Sequence, residues 1–305
     1  MRPPFSFHEL SQPAASMSFT ALALVLGAAW CHATWNLFLK RSKGGGIPFF
    51  WLTAWVEILA YAPLAVAQAI ALDWTPDVAA VGMMLGSAVI HVAYFVFLDR
   101  GYRSGDLSVV YPLARASGPL LTIVAAIVLL GERPAPTALA GALLIGAGAV
   151  LLTGNPLQML RGQAHGLRAA GFALATGAMI AVYTVWDRQA VAALMVPTVI
   201  YYWGSIVLRL VVTTPQALRQ PARLREIWRD DRRAVIAVAL LSPLSYGLVL
   251  VAMTLAPLSY VAPAREISIL VAALYGTHLL REGHVARRLA AATMMMAGLA
   301  GIALA

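Results

Sequence analysis

Charge is scarce in this chain. Only 11% of its 305 residues are Asp, Glu, Lys or Arg, against about a quarter in a soluble globular domain. A water-soluble enzyme so composed would have too few polar residues to cover its surface. Cysteine is scarcer still. Cys31 stands alone, which excludes a disulfide framework and a cysteine metal site and leaves it a packing role. No glycine-rich phosphate loop occurs, Ser117-Gly118 lacks the frame of a hydrolase nucleophile, and the histidines are scattered. The sequence therefore offers no ATP motor, metal site, cofactor site or catalytic signature, and it does not read as an enzyme.

What is abundant is apolar: 61% of residues are hydrophobic and the mean hydropathy is +0.78. The expected class is an all-α integral membrane protein. A net charge of +9 would suggest nucleic acid as partner to a soluble protein. Here it reads as basic loops on one side of a lipid bilayer, with no nucleic-acid role.

Apolar runs cut at breakers give about ten transmembrane helices of roughly 20 residues each. They cover 18–39, 47–70, 78–98, 107–131, 135–153, 167–187, 197–214, 234–255, 258–280 and 286–305. Residues 1–17, rich in Pro and Ser, read as a disordered segment, within which Met17 is an alternative start. The run from Ser18 has no convincing cleavage site and ends in Lys40, Arg41 and Lys43, so it reads as a retained span. Residues 18–153 form a first five-helix unit, 154–166 a linker, and 167–305 a second unit. The one substantial loop is 215–233. Of the Lys and Arg residues, 16 lie in or beside the loops after odd-numbered spans, 3 lie on the opposite side, and Arg115, Arg209 and Arg265 fall inside spans. By the positive-inside rule both termini face out and loop 215–233 is cytoplasmic.

The two units repeat one another at a spacing of about 150 residues. Trp35-Asn36 matches Trp186-Asp187, Phe49-Phe50-Trp51 matches Tyr201-Tyr202-Trp203, and Tyr94 matches Tyr246. Leu107-Ser108-x-Val110-x-Pro112 matches Leu258-Ser259-x-Val261-x-Pro263, followed by Arg115 with Arg265 and Glu132 with Glu282. Five spans is an odd number, so the second copy must enter the membrane from the other side. Inverted repeats of this kind characterise secondary transporters, whose halves rock about a central site.

With this layout, the Gly131-Glu132-Arg133 and Arg281-Glu282-Gly283 turns, and a Gly/Ala-rich last span in each half, the chain resembles the EamA type of the drug/metabolite transporter (DMT) superfamily. His32-Ala33-Thr34-Trp35-Asn36 followed by Lys40 is similar to a subgroup whose substrates are mostly unassigned. The resemblance implies an exporter of amino acids, other metabolites or drugs. It also implies a central cavity lined chiefly by spans 1, 3 and 4 and their partners 6, 8 and 9. Many relatives place their termini in the cytoplasm, whereas the charge count here points outward.

Ionisable groups inside a span are costly in hydrocarbon and normally face a cavity or a partner. Arg115 and Arg265 occupy matched positions after Pro112 and Pro263. They either give a bidentate grip on a carboxylate or phosphonate or snorkel to the interface. Glu266, about 100° round the helix from Arg265, is not expected to be its local partner but to face another span as proton site or structural partner. Glu57 and Arg209 are also matched and read as an interhelical ion pair, with Glu57 an alternative proton carrier. His32, Trp35 and Asn36 share one face of span 1; their counterparts are Tyr183, Trp186 and Asp187. These, with His91, Tyr94, Tyr111 and Tyr246, line either a polar cavity or helix contacts, and Asp187 joins the ion-pair or proton candidates. His278 reads as interfacial. The two aromatic triplets read as a belt at the lipid interface, and Gly141, Gly146 and Gly148 as sites of close helix packing.

The expected function is secondary active export of a small anionic or zwitterionic metabolite, an amino acid or an organophosphorus or organic acid. Alternating access with proton coupling is the expected mechanism. The alternatives are a cationic drug exporter and a non-transporting regulatory subunit. The expected setting is a bacterial inner (plasma) membrane, as a monomer or homodimer.

Overall fold

The computed structural model describes residues 16–42, 46–104, 107–153, 164–272 and 285–305. The first half supplies α1 (Phe19–Arg41), α2 (Gly46–Ala71), α3 (Val78–Ser104), α4 (Leu107–Leu130) and α5 (Pro136–Thr153). The second supplies α6 (Ala164–Arg188), α7 (Thr198–Leu218), α8 (Pro221–Asp230), α9 (Arg232–Leu255), α10 (Leu258–Ala264) and α11 (Val285–Ala303). Helix starts follow local chemistry. The Ser18 hydroxyl accepts from the Ala21 amide and the Asp77 carboxylate from the Ala80 amide, two orphan donors that would otherwise go unpaired. Prolines stand just before or at the first turn of α5, α7, α8 and α10, where no amide bond is lost.

Six helical segments are long and apolar enough to cross a membrane, and the apolar parts of α5 and α11 are shorter. α7 carries Tyr201, Tyr202, Trp203, Arg209 and three threonines along its 21 residues, so it is not among the six. The outer faces of the helices carry exposed Leu59, Ile70, Val128, Leu143 and Val211. Such surfaces would be a liability in water and suit lipid. The chain is a multi-pass membrane protein.

The most extensive helix contacts join the two halves: α5 with α11, α1 with α9, α4 and α3 with α6, and α2 with α7. At the α5–α11 crossing a Cβ on Gly141 would sit 2.4 Å from the Gly298 carbonyl oxygen, and one on Gly298 equally close to the Gly141 carbonyl. A Cβ on Gly148 would meet Met295 at 2.5 Å. Gly146 differs from the expectation: its Cβ would point into open space.

Three expectations for the elements need correction. Loop 215–233 is mostly helical, because α7 runs through Pro215 to Leu218 and α8 follows after two residues. Span 9 is broken rather than continuous. Span 6 ends in a π-helical turn over Gln189–Ala193, a widening that often marks functional sites. The disordered segment 1–17 and linker 154–166 fall almost wholly outside the described residues. Met17, however, is buried, and residues 164–166 belong to α6.

Candidate functional site

The break in span 9 creates the central feature. Pro263 has no amide hydrogen to continue the helix. From there the backbone tightens into i→i−3 bonds, Glu266 N to Pro263 O at 3.0 Å and Ile269 N to Glu266 O at 2.9 Å. Helix resumes at 267–272. This turn brings the side chains of Arg265 and Glu266 together, with Nε 3.9 Å from a carboxylate oxygen, although an unbroken helix would hold neighbours about 100° apart. From α4, Arg115 reaches across to the other oxygen of Glu266 at 3.0 Å and to the Ser268 hydroxyl at 3.4 Å. One buried carboxylate is thus shared by two guanidinium groups. Arg265 is only 7% exposed, so it does not snorkel. Glu266 meets α4 but, against the expectation that it could not partner Arg265 locally, also lies beside it, because the break turns the two side chains together.

Beside this pair stands an aromatic wall. His91 on α3 stacks on Tyr183 of α6 with ring centres 4.3 Å apart. Tyr94 and Tyr246 meet the same tyrosine edge-on at 6.0 and 6.2 Å, and Tyr202 abuts Tyr246 at 5.5 Å. Arg265 lies within electrostatic reach of Tyr183 and Tyr246. From α1, His32 lies within reach of Arg115 and Arg265 and packs edge-on against Trp35. The indole nitrogen of Trp35 is buried and has no hydrogen-bond partner among the described residues.

Behind the wall, Asp187 is fully buried. One of its oxygens accepts from the Tyr201 hydroxyl at 2.6 Å and the other from the Tyr246 hydroxyl. It has no ion-pair partner among the described residues; its charge rests on two phenolic donors. Tyr246 therefore connects the negative Asp187 to the neighbourhood of the positive Arg265.

Glu57 and Arg209 do come together, at 3.7 Å between α2 and α7. The same interface corrects the expected aromatic belt. Trp51 donates to the Thr214 hydroxyl at 2.9 Å, and Trp203 donates to the Ile58 carbonyl at 3.0 Å, while Phe49 and Tyr201 are fully buried. Antiparallel packing of α2 on α7 turns both triplets inward at opposite ends of the pair, Trp51 beside Thr214 and Trp203 beside Ile58, rather than toward lipid.

A second polar cluster was not anticipated. After α4, Glu132 accepts from the Leu258 and Ser259 amides at 2.8 and 2.9 Å, capping the first turn of α10. Arg188, at the end of α6, approaches the same carboxylate at 3.4 Å. The Tyr260 hydroxyl accepts from the Ala135 amide at 3.2 Å. All three side chains are buried. This clasp ties the two halves at one end. Its signal in the sequence was the matched pair Glu132 and Glu282; the latter, like His278, lies outside the described residues.

Two other expected site residues are placed differently, and the side chain of a third lies outside the described ones. Asn36 spends an amide hydrogen on the His32 carbonyl of its own helix, at 2.7 Å. The indole of Trp186 donates to the Met83 carbonyl at 2.8 Å and fills the space above Gly86, so it packs α6 on α3 rather than lining the centre. Tyr111 lies on α4, with its side chain outside the described ones. Among the described residues no group of acids, histidines and cysteine could hold a metal.

Residues 19–154 match the model of the EamA-like transporter family. A crystal structure of a protein 20% identical superposes over 93% of this chain and 96% of the other, with a TM-score of 0.74; at that identity the likeness shows the fold alone. No curated protein matches the chain. Over residues 19–154, a little under half of its length, the chain is thus similar to the EamA-like transporter family of the drug/metabolite transporter superfamily.

Proposed function

We propose that the chain is a proton-coupled secondary exporter in which ten spans, arranged as two inverted five-helix halves, hold one zwitterionic or anionic metabolite between them. The carrying observation is the sharing of Glu266 between Arg115 and Arg265. Two positive charges against one negative leave the break in span 9 net positive, beside a wall that contains the Asp187–Tyr246 pair. A carboxylate or phosphonate would settle on Arg265. The ammonium group of an amino acid would lie over Tyr183 and Tyr246, backed by the charge of Asp187. The unpaired Trp35 N–H is a further donor for the solute. Half-helices meeting at a solute site are a recurrent transporter device.

Glu57, Asp187 and Glu266 are the proton candidates: each is a buried carboxyl group, Glu57 and Glu266 between helices of opposite halves and Asp187 among helices of the second half. The charge count supports a bacterial inner membrane with both termini outside and the basic loops in the cytoplasm. One chain carries both halves, so a monomer suffices and a homodimer adds no site residue.

The aromatic wall with Asp187 behind it also favours a second reading, a lipophilic-cation exporter. One experiment separates them. Detergent-purified protein is screened by thermal shift against amino acids, organic acids, phosphonates and cationic drugs, since a ligand binding only the folded state raises the melting temperature by mass action. The zwitterion reading expects a shift with an amino acid or phosphonate that Arg265→Ala abolishes. A shift with cationic drugs alone, kept in Arg265→Ala and lost in Asp187→Asn, overturns it. Vesicle exchange of the responding solute, with and without a pH gradient, then tests transport and coupling; no exchange of any binder would support a regulatory subunit.

A further inference from the structure

Far from the central arginines, the end of α1 and the joint between α8 and α9 enclose a pocket of about 390 Å³. We propose that it is a binding site for the headgroup phosphate of an anionic phospholipid. Arg41, Arg229, Arg232 and Arg233 line it, against Asp230 and Asp231, so the rim is net positive. Arg229 grips Asp230 through two bonds of 2.7 and 3.1 Å, and that pair neutralises itself. Arg41, Arg232 and Arg233 are exposed and have no carboxylate partner among the described residues, which leaves their donors for an outside anion. The first turn of α9 lines the same space, and no side chain caps its amides. The positive end of that helix dipole adds to the attraction.

The surroundings argue for lipid. α8 is amphipathic: Ile227 is buried toward α2 while Trp228 and Arg225 are exposed. A short helix with a basic face and an outward tryptophan lies in the interfacial plane of a bilayer. Phe38, part of the pocket wall, is itself exposed and offers an apolar flank to an acyl chain. Basic pockets at the ends of spans bind anionic headgroups by this combination of charge and apolar flank. A phosphodiester anchored here would join α1 to α9, a helix of each half, at the end opposite the Glu132 clasp.

The test compares the melting temperature of the full chain in phosphatidylcholine nanodiscs with that in nanodiscs also containing phosphatidylglycerol, and in phosphatidylcholine nanodiscs with inorganic phosphate added. A triple variant, Arg41→Gln, Arg232→Gln and Arg233→Gln, is set against a charge-matched control, Arg100→Gln, Arg103→Gln and Arg219→Gln. Phosphatidylglycerol is expected to raise the melting temperature of the wild type and the control but not of the triple variant, whose value in phosphatidylcholine matches the wild type. Native mass spectrometry should show retained phosphatidylglycerol lost in the same variant. The proposal is overturned if the triple variant keeps the lipid shift, if the control loses it equally, or if inorganic phosphate alone reproduces it. If the triple variant melts lower in phosphatidylcholine, the three single variants replace it, and retention of the lipid shift by all of them overturns the proposal.

Discussion

Asp187 is an ionisable side chain, fully buried and held by two tyrosine hydroxyls among the described residues. A hydrogen bond to a charged group contributes about 1.5–3 kcal/mol. Tyr201→Phe and Tyr246→Phe should each lower stability by about 2 kcal/mol, read as a fall in melting temperature in detergent. The double variant should cost clearly less than the sum, because the two donors share one acceptor and their effects are coupled. Additive losses would mean that the two phenols act through packing alone. The Glu57–Arg209 pair gives a second expectation at this scale. Arg209→Met leaves a buried carboxylate alone and should cost about 3 kcal/mol, while Glu57→Gln with Arg209→Met should recover most of it. Failure of the double variant to recover would show that Arg209 acts beyond the pair. The membership of these clusters was legible from the rarity of ionisable residues within spans. Their partners were not. Arg115 meets Glu266 only because span 9 breaks, and Asp187 meets phenols rather than an arginine because Tyr201 turns inward, where its position near a helix start had suggested lipid.

At the scale of elements, glycine positions separate packing from mere composition. α5 and α11 cross so closely at Gly141 and Gly298 that a Cβ on either collides with the other's carbonyl. Gly141→Ala should therefore push the helices apart and cost about 1–3 kcal/mol. Gly146→Ala, one turn further on and facing open space, should be neutral or gain up to about 1 kcal/mol from helix propensity. Equal effects on the melting temperature would show that the helices do not meet on the Gly141 face. The sequence marked all three glycines of α5 alike, because composition carries no helix rotation. Proline shows the same limit. Pro112 and Pro263 are matched in the repeat, yet α4 runs unbroken from Leu107 to Leu130 while span 9 breaks after Ala264. A proline frees a carbonyl in either helix; whether the helix yields depends on what the neighbouring helices offer the loosened backbone. Around Arg265, Arg115 and Glu266 supply those partners.

For the whole molecule, the Glu132 clasp lets alternating access be tested without knowing the solute. Two halves that rock about a central site must part at one end when they close at the other. Glu132 joins the end of α4 in the first half to α10 and Arg188 of the second, so under the proposed alternating access it would hold one end shut. Removing it should shift the population toward the state open at that end, because the contact exists in only one of the two. Glu132→Ala should speed hydrogen exchange of the Leu258 and Ser259 amides and of the 257–264 peptide, by about tenfold for each 1.4 kcal/mol of lost closure. Peptides of α2 and α7, which pack on one another without extensive contact with α10, should keep their protection. Glu132→Gln retains an acceptor for one amide but loses the attraction of Arg188, and should fall between. If exchange rises equally across all helices, the clasp is a global staple and its loss simply unfolds the chain. If nothing moves, the two ends are not coupled through Glu132, and the gate must be sought at the Glu57–Arg209 interface.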